Sequence, residues 1–191
     1  MNTYWLLFRK SLAAVLVGGI LALPLGALAV ETLPTIREVA PVKSIVAPTR
    51  IIIPKIGVNA EIEALGKNSR GVLMLPRTYH NVGWYQQSAR PGKPGNALMW
   101  GHLNGATCAS VFWNLKKLKV GDTLTIKDGN GNVMTFRVWK KQSYPYNQTP
   151  TNELFGPSRV SRLNLFTCDG VWNRATRNYS HRLIIFTELV K

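Results

Sequence analysis

Short apolar runs, each stopped by turn-forming residues, constrain the fold of this chain more than any other feature. Residues 50–53, 96–100 and 182–186 are such runs, rich in β-branched or large apolar side chains, and glycine or proline lies close to most of them. Asp-Gly-Asn-Gly at 128–131 stands between two further runs and favours a hairpin, because these residues tolerate positive φ. Many short strands with frequent turns are typical of a sandwich or barrel. We predict that residues 50–191 form a mostly β domain, a closed and mostly antiparallel β-barrel.

Three segments add detail to this prediction. Residues 71–76 resemble the run at 50–54, also ending in proline, and predict another strand. Residues 149–155 predict one helical turn. A further segment has apolar residues at helical spacing and predicts a short helix of two turns packed on the sheet. Its apolar residues are Val111, Phe112, Leu115 and Leu118.

A long uncharged segment stands apart at the N-terminus. A basic pair at 9–10 precedes nineteen residues without a charge, 12–30, close to the roughly 20 residues that span a bilayer as a hydrophobic helix. Ala-Leu-Ala at 27–29 has the form of a signal peptidase site. Residues 1–31 are therefore a signal peptide or an N-terminal membrane anchor. We favour the anchor, with the basic pair in the cytoplasm and the domain outside the cell, as a single-pass membrane protein.

Charge and composition narrow the partners. Residues 32–49 contain three prolines and predict a semi-rigid linker. The chain carries a formal net charge of +15, with 24 Lys and Arg against 9 Asp and Glu. The basic residues are scattered and lack the aromatic interleaving that single-stranded nucleic acid binders use. We interpret the charge as a surface suited to an anionic envelope, expect no nucleic acid partner, and expect a monomer.

Cys168 and Arg182 are the strongest candidates for chemistry. Cys168 ends one apolar run, and Arg182 opens another fourteen residues later, so antiparallel pairing of the two runs would bring them together. His102 closes a third run. A thiol, an imidazole and a guanidinium at one rim of a sheet would supply a nucleophile, a proton carrier and an anion stabiliser.

A structural disulfide is the competing interpretation of the cysteines. Cys108 and Cys168 are the two cysteines of the chain, and exported proteins commonly pair theirs. With a Cys108–Cys168 disulfide, the domain would be a non-enzymatic, basic wall-binding β module. From spacing alone, both interpretations remain open. The cysteines and three histidines show no metal-ligand spacing, so we expect no metal and no cofactor.

Several motifs resemble those of sortases, the cysteine transpeptidases of Gram-positive-type envelopes. Gly101-His102, Leu165-Phe166-Thr167-Cys168 and Arg182-Leu183-Ile184-Ile185 occur in the family's order. The resemblance spans nearly all of residues 50–191. Trp100 departs from the family pattern, because small or aliphatic residues are more usual before Gly-His.

The resemblance is strongest to class F sortases. The segments similar to that class are Ser88–Ala97, Leu118–Asp122 and Thr167–Gly170. Membership implies a closed barrel of about eight strands with one or two short helices.

The resemblance also implies a reaction. Cys168 would attack a carbonyl of an LPxTG-like sorting signal on secreted proteins and form a thioacyl intermediate. His102 would protonate the leaving amine and later deprotonate an amine nucleophile of a cell-wall precursor. Arg182 would stabilise the oxyanion or hold the substrate backbone, and Thr167 would assist through its hydroxyl or main chain.

Two enzymatic alternatives follow from the same residues. If water replaces the amine, the protein is an exported cysteine endopeptidase that mainly hydrolyses. An L,D-transpeptidase fits less well, because that family resembles Ser-x-Gly-Cys around its nucleophile, whereas Phe166-Thr167-Cys168 stands here.

Overall fold

The computed structural model of this protein describes residues 44–105 and 108–190. The predicted signal peptide or membrane anchor, residues 1–31, lies outside them. Within the described ranges, no helix is both long and apolar enough to cross a membrane. The first strand begins at Pro48, and Ile45 packs against the core. The last residues of the predicted linker 32–49 therefore lie on the barrel.

In the described residues, eight strands form a closed barrel. They are β1 (Pro48–Ile53), β2 (Val58–Leu65), β3 (Val82–Tyr85), β4 (Gly95–Trp100), β5 (Thr123–Asp128), β6 (Val133–Pro145), β7 (Ser161–Asn173) and β8 (Asn178–Leu189). Their order around the barrel is β1-β2-β3-β4-β7-β8-β6-β5. The pairs β2–β3 and β4–β7 are parallel, and the other pairs are antiparallel. The prediction of a closed, mostly antiparallel barrel is confirmed.

The core fills the inside of the barrel. Successive side chains of a strand point to opposite faces, and the inward-facing positions carry apolar residues that are almost fully buried. Ile51, Leu124, Phe136, Leu165 and Ile185 belong to this cluster. A small barrel has an interior just wide enough for side chains to fill it, so the inward face of every strand is committed to packing.

Asp128 organises the hairpin between β5 and β6. Its carboxylate accepts hydrogen bonds from the backbone N–H groups of Val46 (3.1 Å), Asn130 (2.9 Å) and Asn132 (2.9 Å), and from Asn132 Nδ2 (2.7 Å). Burial raises the pKa of Asp128, but these hydrogen bonds outweigh it and lower the pKa overall. The ionised side chain thereby joins the predicted hairpin to the chain entering β1.

The predicted strand at 71–76 is wrong. Leu73 forms only an isolated bridge with Lys67, and Val72 and Leu75 are 59% and 65% exposed. This run is apolar at consecutive positions but lies outside the barrel, where no neighbouring strand pairs with it along its length.

The two predicted helical segments are short in the structure, three and five residues long. The predicted two-turn helix is a turn followed by a 3₁₀ helix at Leu115–Lys117. Phe112, Leu115 and Leu118 are buried, and their spacing of three residues is the period of a 3₁₀ helix. The predicted turn at 149–155 is confirmed as α1 (Thr151–Phe155).

Candidate active site

The outward faces of β4, β7 and β8 carry residues aligned in lateral sets, which we call rungs. Cys168 pairs with Arg182 across β7 and β8 and forms the first rung. The antiparallel pairing predicted from the sequence is thus confirmed. The second and third rungs lie on the same face, two and four residues away from the first rung along β7 and β8. The second rung is Trp100, Phe166 and Ile184, and the third is Leu98, Asn164 and Phe186.

His102 follows β4 by two residues and stands near the first rung. Its backbone carbonyl accepts a hydrogen bond from Phe112 N (3.0 Å), and its ring meets Tyr79 edge-on at 4.9 Å. A Cβ on the preceding Gly101 would lie 2.6 Å from Val111 Cγ1. Position 101 therefore requires glycine, because a side chain there would clash with Val111. His102 and Cys168 line one cavity of about 700 Å³, the catalytic groove.

Burial sets the protonation of the resting pair. It lowers the pKa of His102. It also raises the pKa of the Cys168 thiol, while the charge of Arg182 acts in the opposite direction and lowers it. At neutral pH the resting pair is therefore a thiol and a neutral imidazole. The thiolate, which is the nucleophilic form, exists in a minor fraction of the molecules.

Arg182 is held in place by the first residues of its own strand, β8. Its Nη1 donates to the carbonyl oxygens of Tyr179 (3.2 Å) and His181 (2.8 Å), and its Nη2 donates to Asn178 Oδ1 (2.7 Å). These bonds use three of the five N–H groups of the guanidinium. Within the described part of the chain, Nε–H and one Nη2–H remain for a substrate oxygen.

Thr167 does not face the catalytic groove. Its side chain is 2% exposed, and its hydroxyl donates to Gly101 O at 2.8 Å. The expectation that this hydroxyl assists the reaction directly is corrected, because the alternation along β7 turns Thr167 inward while Cys168 faces outward. Thr167 instead ties β7 to the residue that precedes His102.

An apolar groove lies directly below the first rung. It is a cavity of about 180 Å³ with Leu98, Phe166 and Ile184 among its lining. Leu73 and residues of α1 also line it, and so does Arg182, the strand partner of Cys168. Sequence reasoning did not find this groove. The sequence signal for this groove is that β4 and β8 are apolar at consecutive positions, which indicates that both faces of each strand are buried.

Both cysteines are free thiols. Cys108 is exposed, in the loop that follows His102, where its carbonyl accepts a hydrogen bond from Gly105 N (2.8 Å). The Cys108–Cys168 disulfide of the wall-binding alternative is therefore not formed. Among the described residues, no group of three or more His, Cys, Asp or Glu could hold a metal ion.

A thiol, an imidazole and a guanidinium at one rim of a closed β-barrel supply the nucleophile, the proton carrier and the anion stabiliser that a cysteine enzyme requires. The family model described as the sortase domain matches residues 51–190 of this sequence. The chain therefore belongs to the sortase family. Sortases are cysteine transpeptidases, and so is this protein.

Solved structures with the same fold include several sortases. The lid mutant of sortase A from Corynebacterium diphtheriae is 24% identical, with a TM-score of 0.59 over 78% of this chain and 72% of that chain. Sortase C-1 from Actinomyces oris is 25% identical, with a TM-score of 0.59 over 75% and 73%. The sortase D5 transpeptidase of Clostridium perfringens is 24% identical, with a TM-score of 0.56 over 76% and 79%.

These neighbours bear the names of classes A, C and D, so the resemblance to class F stays a prediction. A comparison with curated proteins found no match.

Proposed function

We propose that the protein cleaves an LPxTG-like sorting signal near its threonine and transfers the acyl part to an amine of a cell-wall precursor. The observation that carries this proposal is the apolar groove below the Cys168–Arg182 rung. A peptide whose scissile carbonyl lies at Cys168 can extend along this face and place earlier residues over the groove.

The spacing of the rungs fits such a peptide. A strand rises about 3.3 Å per residue, so the second and third rungs lie about 7 and 13 Å from the first. The leucine of LPxT precedes the threonine by three residues, about 10 Å in an extended chain. It would therefore reach the space between Phe166 and Leu98. A cavity of about 150 Å³ holds a molecule of benzene's size, so a groove of about 180 Å³ suits one leucine-sized side chain.

The side chains supply each step of the reaction. The Cys168 thiol gives its proton to His102, and the resulting thiolate bonds to the threonine carbonyl carbon. The remaining N–H groups of Arg182 stabilise the oxyanion that forms. The C–N bond then breaks as protonated His102 gives its proton to the leaving amine. In the second half, neutral His102 takes a proton from the accepting amine, which attacks the thioester and releases Cys168. Water in place of this amine gives the endopeptidase alternative.

The proposed location is the outer face of the cell membrane, with residues 1–31 as the tether. The uncharged segment 12–30 and the basic pair before it support this orientation. Fractionation of cells, followed by protease treatment of intact cells, tests it. The domain should sediment with membranes and be digested from outside; a domain protected inside intact cells would contradict the proposal.

Incubation with a fluorogenic LPxTG-type peptide, with and without an added amine, tests the transferase activity. We expect a peptide–amine product, and mass spectrometry of the enzyme should show an acyl group on Cys168. Peptides with aspartate in place of leucine serve as the matched control and should react poorly. Cleavage with no amine-dependent product would rule out transfer and favour the endopeptidase.

A further inference from the structure

Residues 66–75 form a small hairpin outside the barrel, which we call the wall hairpin. Lys67 and Leu73 form an antiparallel bridge, and backbone hydrogen bonds join Asn68 N to Val72 O (2.8 Å) and Met74 N to Gly66 O (3.0 Å). Gly71 turns the chain with φ of 76°. The segment therefore has a fixed shape of its own, although it is not a barrel strand.

The wall hairpin borders both grooves of the site. Leu73 lines the apolar groove, and Leu75 lines the catalytic groove that contains His102 and Cys168. The alternate residues Val72 and Met74 line neither groove, although Leu75 is 65% exposed and thus no more buried than they are. Because side chains alternate along an extended segment, the register of the hairpin decides which of them reach the grooves.

Trp100 attaches the hairpin to the second rung. Its indole Nε1 donates to Met74 O at 3.1 Å, and its ring stacks on Phe166 with centroids 6.1 Å apart. The side chain is 4% exposed. A Cβ at Gly83 would lie 2.7 Å from Trp100 Cε2, so the glycine on β3 provides the space that the indole occupies.

The chain beyond the hairpin is held separately. The Glu63 carboxylate accepts hydrogen bonds from Arg77 N (3.0 Å), Arg77 Nε (3.1 Å) and Asn81 Nδ2 (2.8 Å). Burial alone would raise the pKa of Glu63, but the hydrogen bonds and the charge of Arg77 lower it by more. The pKa therefore lies below its ordinary value, and the side chain is ionised. Loss of the Trp100 bond would thus free the hairpin without releasing residues 77–81.

We propose that Trp100 is a positioning residue for recognition of the donor peptide, acting through the carbonyl of Met74. By fixing the wall hairpin, it places Leu73 against the apolar side chain of the signal and Leu75 beside the scissile bond. The proposal rests on the proposed function for the identity of the peptide. It assigns to Trp100 a role in substrate affinity and none in the chemical step.

The substitution Trp100→Phe tests this role, because phenylalanine keeps a ring for Phe166 and removes the indole N–H. Binding of a labelled LPxTG-type peptide is measured by fluorescence polarisation in Cys168→Ala protein, and kinetics are measured with Cys168 present. We expect Trp100→Phe to raise Kd and the peptide KM about fivefold, as for loss of one hydrogen bond. The kcat and the KM of the amine should stay within about twofold of wild type.

Two hairpin variants form a matched pair. Leu73→Ala removes a side chain that lines the apolar groove and should raise peptide Kd about tenfold, a typical effect of exposing a large apolar side chain. Val72→Ala changes the neighbouring exposed residue and should leave Kd unchanged. Equal effects of these two variants, or an unchanged peptide KM in Trp100→Phe, would overturn the proposal.

Hydrogen exchange separates this proposal from the proposed function. Trp100→Phe should speed exchange of amides in 66–75 while those in 77–81 keep their wild-type rates. Gly83→Ala, which displaces the indole, should produce the same pattern if Trp100→Phe proves too unstable to purify. Unchanged exchange in both variants refutes the attachment whatever the activity. Failure of the wild type to bind or cleave any signal peptide would instead refute the proposed function, and the recognition role with it.

Discussion

The two faces of β7 differ in what covers them. On the inner face, Leu163, Leu165 and Thr167 are at most 2% exposed, because the closed barrel surrounds them. On the outer face, Phe166 and Cys168 are only partly buried and border open grooves. The inner residues hold the strand in place, and the outer residues use that rigidity to present a nucleophile. Substitutions on the two faces should therefore separate stability from activity.

The largest expected effect is on the outer face. Cys168→Ala removes the nucleophile and should lower kcat by at least about 10⁴-fold, as the loss of a catalytic nucleophile does in other enzymes. The thermal midpoint should stay close to that of wild type, since the side chain lies outside the core. Peptide cleavage and thermal unfolding measured on the same preparation check both statements. Residual cleavage above a few per cent of wild type would assign the nucleophile elsewhere, with Cys108→Ala as the control.

The second largest effect on activity is expected at Arg182, which also lies on the outer face. Arg182→Met should reduce kcat by about 10²- to 10³-fold through loss of oxyanion stabilisation. The Arg182 charge lowers the Cys168 pKa, so its removal should raise that pKa further. At alkaline pH the Cys168–His102 pair loses the proton that the leaving amine needs, so activity falls there. This alkaline limb of the pH–activity profile should move to higher pH in Arg182→Met.

Arg182→Lys is the matched control for the charge. Lysine keeps the positive charge but not the planar fork of donors, so the alkaline limb should stay near its wild-type position while kcat falls. An alkaline limb that moves equally in both variants would show that charge does not explain the effect.

The inner face should respond in stability. Leu165→Ala creates a cavity in the barrel core and should lower the free energy of unfolding by about 3 kcal/mol. Activity per folded molecule should change little at low temperature. Urea unfolding measures the first quantity. Active-site titration with a thiol reagent normalises the second, in the Cys108→Ala background because Cys108 is an exposed free thiol. A loss of activity per titrated thiol as large as that of Arg182→Met would contradict the separation of the two faces.

Local patterns in the sequence predict what depends on neighbouring residues. The runs ending at Cys168 and beginning at Arg182 indicate two strands, and a turn between them favours antiparallel pairing, which the structure confirms. The hairpin around Asp128 is predicted for the same reason. Local patterns do not predict that His102 lies beside these two residues, because β4 and β7 are parallel neighbours separated by some sixty residues. The resemblance to sortases supplied that prediction.

The wall hairpin and the apolar groove could not be read from these patterns. The apolar residues at 72–75 have the composition of a strand, and only the tertiary structure shows that Trp100 holds them on the outside of the barrel. Composition reports that apolar residues need cover, but not which segment provides it. The groove arises from β4, β7, β8, α1 and the hairpin together, so no single stretch of sequence encodes it.

Thr167 gives the smallest expected effect and joins the two faces. Its inward hydroxyl donates to Gly101 O, and Gly101 precedes the outward-facing His102. Thr167→Val keeps the shape but leaves this carbonyl without its donor, which should cost about 1 to 2 kcal/mol of stability. Thr167→Ser retains the hydroxyl and should keep more of that stability. If Thr167→Val also lowers kcat while Thr167→Ser restores it, the inner face positions the histidine. A change in stability alone would confine Thr167 to packing.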